Sequence, residues 1–474
     1  MENTLINNPT KLTSYYIFNV VFLFMGSALN VFAYQSFGVI VAAIIIYVFG
    51  EFVLQLPLVG GGKFEKLGYR QVFLVCWFMS GVAAFYANYL GDYSQNLFDA
   101  AHFFDLASND KYKDYTMLDF QHITEGSGVL VIWRFINVIF SSIGIEKIRF
   151  LGIIVNISAV AFSAVFAVKM AQLIYGYDTA RLKRLITLFS LCGLFWLFAS
   201  LHVRDAFVLL GVTVLTYSWT LYIVKPTIRN FIILLSFNIF AVNYFEYLRW
   251  EFRFLPYVMF ATYLVSIFIF NTSKLSKKIL IYVFTIFSVI SVIALFPMYL
   301  ENIFELIVGN NEQYTAGAAV VASSDSLGIK LIVNQPLPIR LILGTAYLFV
   351  FPIPFWTGFQ LETAYHLFKS LNVLFFYVLL PLTAVSLLQV VKFKSLRTPA
   401  LMFHLFLFLG FSSAIAVTSL ENRHLAAFLV PLIIFSLVTD LKKKKNRDLY
   451  WIFLTVFMCI MAMVHFAWLS LKLL

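Results

Sequence analysis

Charge is scarce in this chain. Of 474 residues only 12% are Asp, Glu, Lys or Arg, against about 25% in soluble globular domains, which excludes an ordinary water-facing surface over most of the molecule. Cysteine is scarcer still. Cys76, Cys192 and Cys459 each lie inside an apolar run, with no CxxC pair and no histidine at ligand spacing, so neither a disulfide framework nor a sequence-local metal site follows. A phosphate-binding loop is also missing. Gly60-Gly61-Gly62-Lys63 lacks the GxxxxGK[ST] spacing and places Phe64 where a Ser or Thr is required, so it reads as a flexible turn.

What fills the chain is apolar surface. Hydrophobic residues make up 61% and aromatics 18%, with 54 Phe, and the mean hydropathy is +0.88. Such usage belongs to an integral membrane protein. The net charge of +11 invites a nucleic-acid partner, but the basic residues sit in short turns between apolar spans, the pattern of cytoplasmic loops. No nucleic acid is expected. The first residues, Met1 to Ser14, lead into an apolar run without a small-residue cleavage pattern and read as the approach to an uncleaved first span.

A membrane helix needs about 20 mostly apolar residues. That criterion gives full spans near 15 to 35, 37 to 57, 71 to 90, 149 to 175, 185 to 203, 206 to 223, 231 to 248, 255 to 271, 279 to 298, 367 to 391, 399 to 419, 424 to 440 and 449 to 471. Two apolar runs are too short to cross and read as interfacial or re-entrant: 128 to 143, with Arg134 in mid-run, and 341 to 356, broken by Pro352 and Pro354. The expected architecture is an all-α, polytopic helix bundle of about thirteen spans forming a single transmembrane domain over 1–474. One outer loop with an interfacial helix covers 91–147, and a second with a short re-entrant or interfacial helix covers 299–366. Lys and Arg alternate between rich and poor turns, which places the N-terminus in the cytoplasm and both long loops on the outer side.

That alternation gathers the informative polar residues onto the outer face. Ser200 to Ala206 sets His202, Arg204 and Asp205 between two spans, where ionisable groups need a reason. Asp205 also suits the N-terminal dipole of the following helix. Arg204 offers planar, permanently charged recognition of phosphate oxygens. Arg249 and Arg253 are spaced i, i+4, so on a continuing helix they share a face, although snorkelling with Trp250 as an interfacial anchor explains them too. Arg340 carries the same ambiguity. Glu421-Asn422-Arg423-His424 puts three ionisable groups into a turn that Gly, Ser or Asn would serve. The acidic stretch after Gly91-Asp92-Tyr93 supplies a carboxylate at the end of a span, which partial desolvation would raise toward general-base strength. Asp92 is the first choice and Asp99 the second. Glu51, inside an apolar run, has no role assigned beyond a buried hydrogen bond.

The order of Gly91-Asp92-Tyr93, Trp133-Arg134, His202 to Phe207, Arg249 with Arg253, Pro352 to Phe355 and Glu421 to His424 resembles the Wzy-type O-antigen or capsule polymerases and, more broadly, the GT-C glycosyltransferases. The resemblance spans most of the chain as an arrangement of short motifs. It implies a GT-C-like bundle in the bacterial inner membrane with juxtamembrane helices on the periplasmic side, joining undecaprenyl-diphosphate-linked donor and acceptor glycans. By that resemblance Asp92 is catalytic and Arg204, Arg249, Arg253 and Arg423 bind the donor diphosphate. Their positions add Asp99 and Asp205 as expected catalytic carboxylates and Arg340, Glu421 and His424 as expected substrate-binding residues. Membrane lipid, a flippase and a chain-length regulator are the implied partners. No cofactor is called for, and a divalent metal stays open. The chain shows no DxD pair, and its cytoplasmic loops are too short for a nucleotide-binding domain, which argues against a nucleotide-sugar donor. A polyprenyl-phosphate sugar transferase and an O-antigen ligase are the nearest alternatives. A lipid-oligosaccharide flippase is the alternative from another class, disfavoured because no internal repeat is visible and the ionisable groups collect near one face.

Overall fold

A computed structural model describes residues 9–57, 59–90, 98–112, 114–124, 126–270, 332, 335–359, 363–417 and 420–473. Every regular element among them is helical. Among the described residues eight helices are long and apolar enough to cross a membrane, or nine if one bent pair counts as a single span. Asp92, most of the second outer loop and the expected span near 279 to 298 lie outside the described residues. Gly38–Val53 and Asn422–Ser436 are apolar helices of 10–17 residues rather than full spans, and Pro9–Tyr34 is one helix of 26 residues.

The bundle is built around Phe150–Tyr175. Within its most apolar stretch 83% of residues are buried, against 11% for Lys444–Ser470, which lies at the periphery. The central helix packs against Lys63–Phe85 and Asp205–Val224, and Lys63–Phe85 in turn packs against Pro9–Tyr34. Ala364–Lys392 joins the Gly193–Ser200 segment to Lys444–Leu473. Glu51 now has an account: Arg70 donates to both its oxygens, at 2.7 and 2.9 Å.

The span expected at 185 to 203 is not one helix. Thr179–Ser190, N-capped by Asp178, and Gly193–Ser200 meet at a bend of 55°. Neither proline nor charge marks the break. Asn372 on Ala364–Lys392 accepts from the Leu194 backbone N–H at 3.3 Å, and Trp196 Nε1 donates to the Ser190 carbonyl at 2.7 Å, so backbone groups freed by the break find partners. Gly193 lies so close to the Phe368 carbonyl that a Cβ there would collide with it. The run at 424 to 440 is likewise segmented, into Asn422–Leu425, a 3-10 turn at Ala426–Phe428, and Leu429–Ser436.

Ser127–Ser142 buries Leu130, Trp133, Asn137 and Phe140 and exposes Val131, Phe135, Val138 and Ile139. Its one mid-run charge, Arg134, folds back over the Phe120 ring at 5.4 Å, which leaves the outward face apolar. The later short run behaves as its prolines require: Leu337–Val350 ends with Phe351 extended, ahead of Pro352.

Candidate functional site

The turn before Asp205–Val224 is held from below. Asn156 is fully buried on the central helix. Its amide donates to the carbonyls of Leu201 at 2.8 Å and Val203 at 3.0 Å, and its oxygen accepts from Trp133 Nε1 at 3.2 Å. His202 lies against the Trp133 ring, centroids 4.0 Å apart. Burial, with the Arg149 charge, pulls its pKa down to about 3, so it is a neutral packing element. Arg204 then projects over Gly126, whose φ of +95° is left-handed and whose Cβ, if present, would stand 3.0 Å from Arg204 Cδ. The Arg204 guanidinium also lies over Phe103, 6.0 Å from the ring centroid.

Asp205 opens the next helix, where a carboxylate suits the dipole, and also faces Arg249. The Arg249 Nη1 to Asp205 Oδ1 distance is 3.4 Å, and both side chains are about nine-tenths buried. Arg249 Nη2 lies 2.9 Å from His424 Nε2. A guanidinium only donates, so His424 Nε2 accepts and the ring carries its proton on Nδ1. Burial first, then the charges of Arg249 and Arg423, push the His424 pKa well below the usual histidine range. The third neighbour of Arg249 is Glu251, 3.7 Å from Nε, beyond hydrogen-bond reach.

The 421 to 424 turn arrives from the far end of the chain. Leu420, a non-glycine residue at φ +50°, delivers Glu421, whose Oε1 accepts from Lys369 Nζ at 2.8 Å, from the Tyr365 hydroxyl at 2.9 Å and from the Arg423 backbone N–H at 3.3 Å. Burial would raise the Glu421 pKa, but the Lys369 and Arg423 charges override it and hold the carboxyl well below its ordinary range. Arg423 Nη1 stands 3.9 Å from Asp99 Oδ2. Burial opposes the Arg423 charge, and Asp205, Tyr365, Glu421 and Asp99 more than restore it.

Arg204, Asp205, Arg249, Glu421, Arg423, His424 and Asp99 therefore come together in one cluster. Comparison with family models, curated proteins and solved structures finds no match for this chain. The remaining candidates fare differently. Asp92 lies outside the described residues. The shared face expected of Arg249 and Arg253 does not form, because the helix stops at Glu246 and Arg249 is extended before a 3-10 turn at Trp250–Phe254. On such a turn, at three residues per turn, positions four apart no longer align. Arg253 pairs with Glu246 at 3.2 Å and lies over the Phe254 ring. Arg340, buried in the first turn of Leu337–Val350, makes none of these contacts.

Lys369 and Tyr365 were missed. Lys369 is 4% exposed and donates to Tyr365 and Glu421. The signal was present, since a lysine inside an apolar span is rare and calls for a partner. Arg204, Arg249, Arg423 and Lys369 share the cluster with Asp99, Asp205, Glu251 and Glu421, of which Glu251 was also not among the expected site residues. Among the described residues no group of three His, Cys, Asp or Glu side chains could hold a metal.

Proposed function

We propose that this chain is a membrane glycosyltransferase that polymerises undecaprenyl-diphosphate-linked oligosaccharide repeat units. In this reading it is a Wzy-type polymerase on a GT-C-like bundle of about thirteen spans, working at the periplasmic face of the bacterial inner membrane. The observation that carries the reading is the meeting of Arg204, Arg249 and Arg423, from three separated turns, with carboxylates beside them. Transfer breaks the bond between the anomeric carbon and the diphosphate oxygen, and the leaving diphosphate keeps the electron pair. The acceptor hydroxyl oxygen forms the new glycosidic bond and gives its proton to a carboxylate. Charge grows on the leaving group during that step, and one well-placed donor is worth about 3 to 4 kcal/mol there. Glu421 is a poor base, because its pKa is held low. Asp99 stands beside Arg423 with its side chain 55% exposed, and Asp92, the first choice from the sequence, is the alternative source of the carboxylate.

The test is Arg204→Ala at normal membrane abundance. Long-chain polymer is expected to disappear while a single lipid-linked repeat unit accumulates; polymer of unchanged length and amount refutes the proposal. Incubating purified protein with diphosphate-linked and monophosphate-linked donors separates the polymerase from a polyprenyl-phosphate sugar transferase, and the identity of the acceptor separates it from a ligase.

A further inference from the structure

We infer that contact with the anionic leaving group and the acceptor falls to Arg423 and Asp99, and that Arg249, Glu421 and Lys369 are positioning residues for that pair. The inference rests on the functional reading above and divides labour within the same cluster.

The division follows from which hydrogen-bonding capacity is already used. Arg249 is 9% exposed; Nη1 faces Asp205 at 3.4 Å and Nη2 faces His424 at 2.9 Å, while Nε is buried without a hydrogen-bond partner, 3.7 Å from Glu251. Any edge of its fork offered to an incoming group therefore includes a nitrogen already engaged by a buried partner. Lys369 is enclosed, its ammonium bonded to Tyr365 and Glu421 and lying over the Phe351 ring. Glu421 Oε1 already accepts three hydrogen bonds.

Arg423 is the contrast. Its side chain is 17% exposed against 10% for Arg249, and its Nε, like that of Arg249, is buried with no acceptor. The one side-chain ion pair it makes among the described residues is the 3.9 Å contact with Asp99, longer than a hydrogen bond. A guanidinium has five N–H donors in a fixed fork, and among the described residues no side-chain hydrogen bond of Arg423 occupies them. Asp99 is the most exposed carboxylate of the cluster, at 55% for its side chain, and sits in the first turn of Phe98–Ser108. The two form a loose pair at the rim, backed by partners that are already satisfied.

Such a pair makes a specific electrostatic demand. Before substrate enters, Asp99 neutralises Arg423. A diphosphate that takes the guanidinium displaces that interaction and leaves Asp99 a few ångströms away, ready to accept the acceptor's hydroxyl proton as the new C–O bond forms and the diphosphate departs. Asp99 is thus a competitor for anion binding and a participant in turnover, so its loss should move the two in opposite directions.

The experiment uses the full chain in detergent micelles, with farnesyl diphosphate as probe and farnesol as control, alongside thermal unfolding of each variant. Arg423→Ala should weaken diphosphate binding by about tenfold or more, equivalent to about 1.4 kcal/mol, and Arg423→Lys should recover part of it. Asp99→Asn should tighten the probe about threefold or more while abolishing glycosyl transfer. Arg249→Met and Lys369→Met should lower the unfolding midpoint clearly, because the first strands the buried Asp205 carboxylate and the second leaves the half-buried Glu421 without its closest cation, whereas Arg423→Ala should leave it nearly unmoved. Weaker or unchanged probe binding in Asp99→Asn, or equal destabilisation by Arg423→Ala and Arg249→Met, overturns the assignment. A diphosphate preference that survives Arg423→Ala overturns it alone. Equal binding of farnesol and farnesyl diphosphate by the unaltered protein overturns both it and the functional reading beneath it.

Discussion

Replacing Asn156 with leucine removes three hydrogen bonds while keeping nearly the same volume. The lost partners are the carbonyls of Leu201 and Val203 and the indole N–H of Trp133. The Leu201 carbonyl keeps a second donor, the Val203 backbone N–H at 2.9 Å, so two groups are stranded outright, the Val203 carbonyl and Trp133 Nε1. Each stranded buried group costs about 1 to 3 kcal/mol, which puts the expected loss at about 3 kcal/mol. A different outcome follows if Asn156 behaves like an average interhelical hydrogen bond within a bilayer, about 0.6 kcal/mol each, for a total below about 2. Reversible unfolding in mixed micelles, followed by far-UV circular dichroism, separates the two. Trp133→Phe provides the control: it removes the indole donor, so the double variant should lose less than the sum of the singles. Additive losses, or a loss below about 2 kcal/mol for Asn156→Leu, would refute the claim that this residue fixes the Arg204 turn.

Gly126→Ala introduces a side chain at φ +95° and 3.0 Å from Arg204 Cδ; the backbone alone costs about 1 to 2 kcal/mol, and polymer synthesis should fall further than stability does when both are measured in membranes. Lys369→Met leaves Glu421, whose side chain is 32% exposed, beside one cation fewer and should cost about 1 to 3 kcal/mol, with Lys369→Met/Glu421→Gln regaining part of it in the same unfolding assay. Because the folded His424 holds its pKa below the ordinary 6.5, the unfolded chain binds more protons as pH falls through that value, and stability declines with acid by up to about 1.4 kcal/mol per pH unit for this group. The decline should be shallower in His424→Gln, and identical slopes between pH 7 and 5 would refute a neutral, Arg249-bonded imidazole. Glu421 acts in the same direction at lower pH: its depressed pKa contributes stability that is fully present above its ordinary 4.5 and is lost as acid protonates it.

Length and hydropathy made most of the helices legible, because a run of apolar residues bounded by basic turns has few other uses. The break at Cys192-Gly193 was not, since its partner Asn372 lies 178 residues from Leu194 and the local sequence stays apolar. The failure at Arg249 and Arg253 has a local cause. Pro256 stands at the start of Leu255–Phe270, and a proline in a first turn announces a new helix, so the preceding residues could not continue the old one. Within the cluster, alternation of charge indicated which turns share a face, and it brought the 204, 249 and 423 positions into one argument. It carried no information on pairing. That Asp205 would take Arg249, and that a lysine in the 364–392 span would take Glu421, depends on distances that emerge only once the helices pack.

Ala364–Lys392 carries Lys369 and Asn372 three residues apart, hence on one side of the helix. The first fastens the 421 turn, and the second occupies the bend leading to the 204 turn. The two halves of the cluster thus take their height from a single rod. An axial slip of one residue, about 1.5 Å, would unseat both at once, so insertions anywhere between the helix start at Ala364 and Lys369 should be far less tolerated than insertions of equal length past Asn372.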